Sequence, residues 1–532
     1  FKQKTAYEIG VRLVGSEMCI RDSLSCEDWV QDVDPLTDSL LNEALDDEKQ
    51  LDFLISGLLG VVSEPGEDNG IENVMWKNAL FSDEMTTRVL GHAPDHITWA
   101  QIWPFNLQFS EYEWEPMNHA RFLADDLVAR VERIGTFTDP SIKERALWWG
   151  YTFGGVYRAM MASMYGLTKD GTTPGGVITT IEQVAAGEFG SFQTDQAIFQ
   201  LSIDRFTEAL KYSPGDDAHG VPSGMHDAVV HSFMARVYLW MGDYTNAKAH
   251  AEQGLPMGEQ FEVLKSTSFE SKYWDDSGRG PSHRHIASAD WRFFDYVMAD
   301  RSEGEIITSI TADEDPNAYT ASLRGYEGEM GEPGHYETDN PRGGLTNQNE
   351  RIPLMEEWIM NLINTEGCTP GSNGDCVGYQ QDVYVSRSSN FVLIDGREME
   401  MILAECALQP STGSSDAYSG DLTTALTHIN NVRTFHSLTE LTAQDATDFD
   451  NPESGASTER TTLSESHPNP VNITGPKGLL IVERDKTCWL RGVRHYDQRR
   501  WGLWHWATDG SYWHYQPIPD SEIIQNANVY LN

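Results

Sequence analysis

The sequence predicts an all-α protein, a tetratricopeptide-like scaffold of helical pairs with a long loop-rich region in its middle. Three observations predict it. Apolar residues recur at helical spacing over most of the chain, a helix–turn–helix unit stands near residue 240, and strand-like alternation is sparse. The 532 residues are 39% hydrophobic, which allows a large core and argues against a disordered chain. The net charge of −44 excludes binding to nucleic acid or an anionic membrane through the overall field and suits a solvated acidic surface.

Taken from the start, residues 1–23 scatter Lys4, Glu8, Arg12, Glu17, Arg21 and Asp22 through a run that a secretory signal would need apolar. The stretch KTAYEIGVRLVGSEMCIRDS resembles translated sequencing-adapter read-through, so 1–23 is set apart from the fold as an artefact. Residues 24–45 follow, opening on Leu24-Ser25-Cys26 and an acidic segment. By itself Cys26 is a buried thiol, half of a disulfide or a covalent anchor.

Residues 46–260 form the N-terminal helical region. Phe53 to Val62 is about half the roughly 18–20 apolar residues a bilayer span needs, so it reads as a core helix. NHARFLADDLVARVERIG is amphipathic and stops at Gly135, while SIKERALWWGYTFGGVYRAMMASMYG is nearly all apolar and reads as buried on most sides. IFQLSIDRFTEALKYSP ends at Pro214. Val230, Met234, Val237 and Met241 then make one apolar face, Gly242-Asp243 a turn, and Tyr244, Ala247 and Ala251 the face of a second helix.

Residues 261–390 are rich in Gly, Pro, Asp and Asn, the composition of functional loops laid on a scaffold. GEIITSI and DVYVSR are the best strand candidates. In residues 391–532, GREMEMILAECALQ, LTTALTHINNVRTF and PKGLLIVERDKTCWLRGVRHYDQRRWG each read as helical, with polar loops at 409–421 and 440–475. Cys368 and Cys376 bracket the turn-rich CTPGSNGDC, which favours a disulfide over two free thiols. Cys406 and Cys488 read as buried small hydrophobes.

These segments, in this order, resemble the SusD/RagB family of outer-membrane nutrient-binding lipoproteins. SCEDWVQDVDP is similar to the family's lipidated start, and FSDEMTT and YEWEPMNHARFLADDL to its early turn and helix. SFMARVYLWMGDYTNAKAHAEQGL resembles its repeat pair, and ILAECALQ with ALTHINNVR its late helices. VERDKTCWLRGVRHYDQRRWG and QPIPDSEIIQNANVYLN resemble its closing segments. Thr487 and Arg491 depart from the acidic residues common there, and Glu398-Met399 from the usual Tyr-Ala.

The resemblance implies a surface-exposed protein on the outer membrane of a Bacteroidota-like bacterium, lipid-anchored through Cys26. It implies a non-enzymatic role: capture of an oligosaccharide, or of a peptide, and delivery to a SusC-like TonB-dependent transporter. The three segments 46–260, 261–390 and 391–532 would be the helical, ligand-binding and C-terminal parts.

Candidate chemistry is weighed on that background. Glu483, Arg484, Arg494, Asp497, Arg499 and Arg500 read as an ion-pair network tying the last helix down, ahead of an anion site. With 82 acids, adjacent carboxylates such as Asp46-Asp47, Asp125-Asp126 and Asp275-Asp276 carry little catalytic signal. Asp313 to Asp315 lacks calcium-loop spacing, His283 and His285 lack metal-ligating neighbours, and no phosphate loop or nucleophile elbow appears, so no cofactor or metal is expected. The useful feature is aromatic. Sugars stack apolar faces on Trp and Tyr beside Asn, Asp or Arg. One such cluster holds Trp99, Trp103, Phe105, Asn106 and Tyr112, the other Tyr273, Trp274, Asp275, Trp291 and Arg292. The alternative for each is capping of the helical core. Trp114, Asn118, Trp148 and Trp149 read as structural. Two readings from other classes stay open, a helical-barrel glycoside hydrolase with a close carboxylate pair in a cleft and a tetratricopeptide scaffold without a small ligand.

Overall fold

The computed structural model describes residues 42–64, 70–82, 84–87, 111–168, 172–215, 218–274, 287–289, 351–352, 354–360, 375–381, 383–384, 386–409, 418–449, 474–501 and 514–529. The first helix, α1 (Leu51–Ser63), buries Leu51, Ile55, Leu58 and Val62 on one face, the period the sequence shows, and leaves Phe53 on the other. Helix α2 (Ile71–Phe81) is buried on every side although it carries Glu72, Asn73, Lys77 and Asn78. Burying such groups is costly unless they are paired. Glu72 meets Lys265 at 2.7 Å and Lys77 meets Glu113 at 3.8 Å.

The short strand β1 (Met85–Thr87) follows, then α3 (Glu111–Ile134) and α4 (Pro140–Met164). Pro140 sits at the first position of α4, where its missing N–H costs nothing, and Asp139 caps the helix by accepting from Ser141 N at 2.9 Å. From Ala146 on, α4 is buried at every residue but Tyr151. It packs between α3 and α6 (Asp195–Ala209). The approach to α6 is close because Gly155 has no side chain: a Cβ there would lie 2.5 Å from the Phe206 ring. Between α4 and α6 run β2 (Tyr165–Gly166), β3 (Gly175–Val177), the short α5 (Ile181–Ala186) and β4 (Phe192–Thr194), with β3 antiparallel to β4.

The tetratricopeptide-like unit is α7 (His226–Trp240) and α8 (Tyr244–Ala251). Gly242 takes φ +75° in the turn, a conformation that favours glycine, and Asp243 accepts from Asn246 N at 3.1 Å to start α8. Ala247 and Ala251 are buried against α7 and its neighbours, as the Ala spacing predicts.

Strand β5 (Gln260–Val263) pairs antiparallel with β9 (Phe391–Asp395), so the chain between them leaves the scaffold and returns to it at one place. Among the described residues that excursion contains the one-turn helix α9 (Lys272–Trp274) and β6 (Ala287–Ala289), which pairs antiparallel with β1. It also contains the hairpin of β7 (Leu354–Met360) and β8 (Asp375–Gln381). The described residues of DVYVSR, 383–384 and 386–387, turn and do not extend as a strand, since β8 ends at Gln381. Gln381 enforces that end, its Oε1 accepting from Val383 N and Tyr384 N at 2.8 and 2.7 Å. GEIITSI lies outside the described residues.

The C-terminal scaffold is α10 (Gly396–Leu408), capped by Asp395, then α11 (Leu422–Phe435), α12 (Ala443–Thr447), α13 (Gly475–Thr487) and α14 (Arg494–Trp501). The single helix expected over the last stretch is two. Leu490 and Gly492 take φ +60° and +69°, which ends α13 and re-aims α14. Finally β10 (Gln516–Pro517) pairs parallel with β2, and α15 (Asp520–Gln525) closes the described chain. One apolar core runs from Leu51 to Val529. Among the described residues no helix is long and apolar enough to cross a membrane.

Candidate functional site

The two-stranded ladder of β1 and β6 brings together chain segments about two hundred positions apart. Its register pairs Met85 with Ala289 and Thr87 with Ala287. Beyond Thr87 the chain continues into 88–110, and on either side of β6 lie 275–286 and 290–350. Along the chain, Trp99, Trp103, Phe105 and Asn106 follow β1, and Asp275 on one side and Trp291 with Arg292 on the other flank β6. Strand β6 also packs beside β8, whose hairpin carries Cys376 opposite Ile359.

A rigid base supports this ladder. Glu84, fully buried, accepts from Leu490 N at 2.8 Å and so ties the start of β1 to the break between α13 and α14. Glu72 accepts from Ser271 Oγ at 2.7 Å and from Tyr273 N at 3.1 Å, and Ser271 Oγ accepts from Trp274 N at 3.3 Å. The turn α9 is thus held by a carboxylate on α2.

Tyr273 points inward from that turn and is 0% exposed. Its ring stacks on Tyr384 and Phe391 with centroids 4.9 and 5.8 Å away and meets the edge of Trp76 at 5.3 Å. Burial pushes its hydroxyl pKa well up. Trp274 is 7% exposed, with the Arg387 guanidinium 5.3 Å over its ring. Both rings take the core-capping role in this structure and offer no open face.

Trp99, Trp103, Phe105, Asn106, Asp275, Trp291, Arg292, Cys26 and Cys368 lie outside the described residues, as do His283, His285 and Asp313 to Asp315. Tyr112 falls in the first turn of α3, where only the backbone is described. The residues read as structural are so. Trp114 is buried with its ring edge-on to Tyr165 at 4.8 Å, Asn118 Nδ2 donates to Trp114 O at 3.0 Å, and Trp148 and Trp149 are in the core. Cys488 is buried as expected, while Cys406 is half-buried, and burial pushes its thiol up to about 12.

The late charge set is a buried lattice. Arg484 meets Asp497 at 2.7 Å and Glu398 at 3.5 Å, and Arg500 meets Asp497 at 2.7 Å and also binds Glu405. Glu483 holds Arg351 at 2.5 Å and Arg433 at 3.0 Å. Glu398 holds Arg236 at 2.5 Å, and Asp395 holds Arg397 at 2.5 Å and Arg491 at 2.9 Å. Arg499 donates to the carbonyl oxygens of Ser163 and His514. The lattice joins α7, α10, α11, α13 and α14, which is the structural role the sequence suggests.

These pairings set the protonation of the buried acids. Burial alone would raise Asp395, but Arg491 and Arg397 outweigh it and hold the carboxyl well below the usual range. Burial is likewise outweighed at Asp497 by Arg484 and Arg500, and at Asp125 by Arg158, Arg121 and Arg205. Carboxylates held ionised in this way are poor general acids. Asp195 shifts the other way, raised by burial, and bonds Tyr496 Oη at 3.2 Å inside the scaffold. Among the described residues no cluster of His, Cys, Asp and Glu could hold a metal ion.

No family model matches the sequence, and no curated protein does. Solved structures match the fold over nearly the whole chain. A SusD-like carbohydrate binding protein from Bacteroides vulgatus ATCC 8482 superposes with a TM-score of 0.56 at 11% identity, covering 91% of this chain and 98% of its own. A SusD-like protein from Bacteroides fragilis NCTC 9343 gives 0.54 at 14% identity, covering 93% and 99%. A SusD superfamily protein from Bacteroides thetaiotaomicron VPI-5482 gives 0.53 at 15% identity, covering 91% and 98%.

Proposed function

We propose that this chain, which has the SusD fold, is a carbohydrate-binding protein of the SusD type that captures oligosaccharide without altering it. One observation carries the reading: the fold match spans 91% of the chain and includes a protein that is itself carbohydrate-binding. The aromatic-rich segments next to β1 and β6 along the chain support it. Trp99, Trp103, Asn106, Tyr112, Trp291 and Arg292 are the proposed ligand contacts, with Asp275 beside them. In this reading Tyr273 and Trp274 support the site from below rather than touch ligand.

The cellular half of the proposal rests on the sequence resemblance. Cys26 carries lipid and anchors the protein to the outer membrane. Glu27 to Pro35 begin a tether, and a SusC-like TonB-dependent transporter receives the ligand. Cys368 and Cys376 are proposed to form a disulfide across the loop that closes the β7–β8 hairpin. Delivery requires fast release, so dissociation constants in the micromolar to millimolar range are expected.

A glycan array probed with the purified protein tests the reading, beside Trp99→Ala and Trp103→Ala. Binding to at least one glycan class, reduced in either variant, is the expected result. Binding to peptides alone would move the reading to a RagB-like peptide binder. Labelling with a radioactive fatty acid, lost in Cys26→Ser, tests the anchor.

A further inference from the structure

We propose that a cleft between the α5–β4 loop and the segment after α15 is a second carbohydrate contact, selective for neutral sugars. It rests on the glycan reading above for its ligand class, and it involves none of the residues assigned there. The cleft has a volume of about 570 Å³, within the size range of small-ligand pockets, roughly 300–1,000 Å³.

Its chemistry is that of sugar recognition. Phe189 lines the cleft with 43% of its surface exposed, an apolar platform for the C–H face of a pyranose. Around it stand Gln183, Glu188 and Ser191 on one side and Gln525 and Asn528 on the other. Amides and a hydroxyl offer donors and acceptors together, the pairing that vicinal hydroxyls need. The lining holds no Lys or Arg, and the Glu188 carboxylate disfavours uronates and sulfated sugars.

The platform is already in place. Gln183 closes a capping box, its Oε1 accepting from Thr180 N at 2.9 Å, which leaves its Nε2 protons for a ligand. Asn528 Nδ2 donates to Phe189 O at 3.0 Å, and the buried Asn526 donates from Nδ2 to Gly190 O at 2.9 Å. Gly190 is pressed against the Ile178 carbonyl so closely that a Cβ would collide with it. Two side chains from the C-terminal segment therefore clamp the loop, and the ordering entropy of a binding loop is largely spent before ligand arrives.

The test places 4-fluorophenylalanine at position 189 alone in the full chain and follows its fluorine resonance. The probes are maltohexaose, cellohexaose, xylohexaose and laminarihexaose, with a tetrapeptide mixture as the comparison. A saturable shift with at least one oligosaccharide is expected. Gln525→Ala, at an exposed position, weakens that response roughly 2- to 10-fold, the effect of one hydrogen bond, at unchanged melting temperature. The double variant Trp99→Ala/Trp103→Ala leaves it intact. A silent resonance overturns the inference whatever the glycan array shows, and array binding without a shift overturns it while sparing the main reading. Loss of the shift in the Trp99→Ala/Trp103→Ala variant also overturns it, since position 189 would then only sense the other site. A response to peptide alone overturns it in favour of a protein-docking surface, to which exposed Val184 and Ile524 nearby would contribute.

Discussion

The contact of α4 with α6 and the contact of α13 with α10 and α14 are both buried, but shape holds one and charge the other. At the first, Gly155 makes room for the Phe206 ring, Ser202 Oγ donates to Gly155 O at 2.7 Å, and Phe206 stacks on Phe233. At the second, Arg484, 0% exposed, sits between Asp497 and Glu398. A contact held by shape is sensitive first to volume, and acid reaches this one through Asp125 on α3, which Arg158 of α4 and Arg205 of α6 both bind. A buried ion lattice is sensitive to the loss of one partner and to acid. The lattice surrounds the break after α13, and Glu84 joins that break to the start of β1.

The largest effect is expected from Arg484→Met, which strips a charge from two buried carboxylates. Breaking such a pair costs about 3–5 kcal/mol, read by urea unfolding. A loss below about 1 kcal/mol would mean that Arg500 and Arg236 already satisfy both acids and that the lattice is redundant. Next comes Gly155→Ala, where the new methyl meets Phe206. Overpacking of this kind costs about 1–3 kcal/mol, and Phe206→Leu in the same chain should recover part of it. Additive losses would show that the two residues do not share the space.

Acid should act on the scaffold in two ranges of pH. His231 on α7 and His250 on α8 meet Nδ1 to Nδ1 at 2.8 Å, so one donates and both cannot be protonated there. Burial pushes both below the ordinary value of 6.5, against Asp227 near His231 and Asp243 near His250, while Tyr238 stacks on His250. The unfolded chain therefore takes up protons first, and stability falls as pH drops below 6.5. The lattice carboxylates Asp395 and Asp497 are shifted below 3.8, so their contribution is present above that value and is lost only at lower pH. Melting temperature against pH should fall in two steps. The first should shrink in His250→Gln, with His495, buried on α14 and likewise pushed below its ordinary value by burial, supplying the rest, and the second should persist.

The smallest effect is expected at the surface. Arg133, bonded to Asp46 at 2.8 Å in an exposed position, should cost about 0–1 kcal/mol when changed to Ala. A loss as large as that of Arg484→Met would erase the distinction between surface and lattice pairs.

The scaffold was largely legible because its helices bury one periodic face. LTTALTHINNVRTF is α11 residue for residue, and Gly242-Asp243 marks the turn between α7 and α8. Helix α2 was not legible. Its Glu72 and Lys77 are satisfied by Lys265 and Glu113, and no local pattern announces partners so far along the chain. The break after α13 had Gly492 as its signal, but Leu490 in a left-handed conformation had none. Tyr273 and Trp274 looked like loop aromatics because Trp76, Tyr384 and Phe391, which enclose Tyr273, are remote in sequence. Phe189 carries no local signal among its glycines, since its environment comes from the C-terminal segment.

Calorimetric titration of the purified protein with an oligosaccharide identified on the array tests the central claim most directly, wild type beside Trp99→Ala/Trp103→Ala. The account predicts a micromolar to millimolar dissociation constant, weakened at least 10-fold in the variant at an unchanged melting temperature, which corresponds to a loss of about 1.4 kcal/mol or more. Equal affinity in both proteins would contradict it.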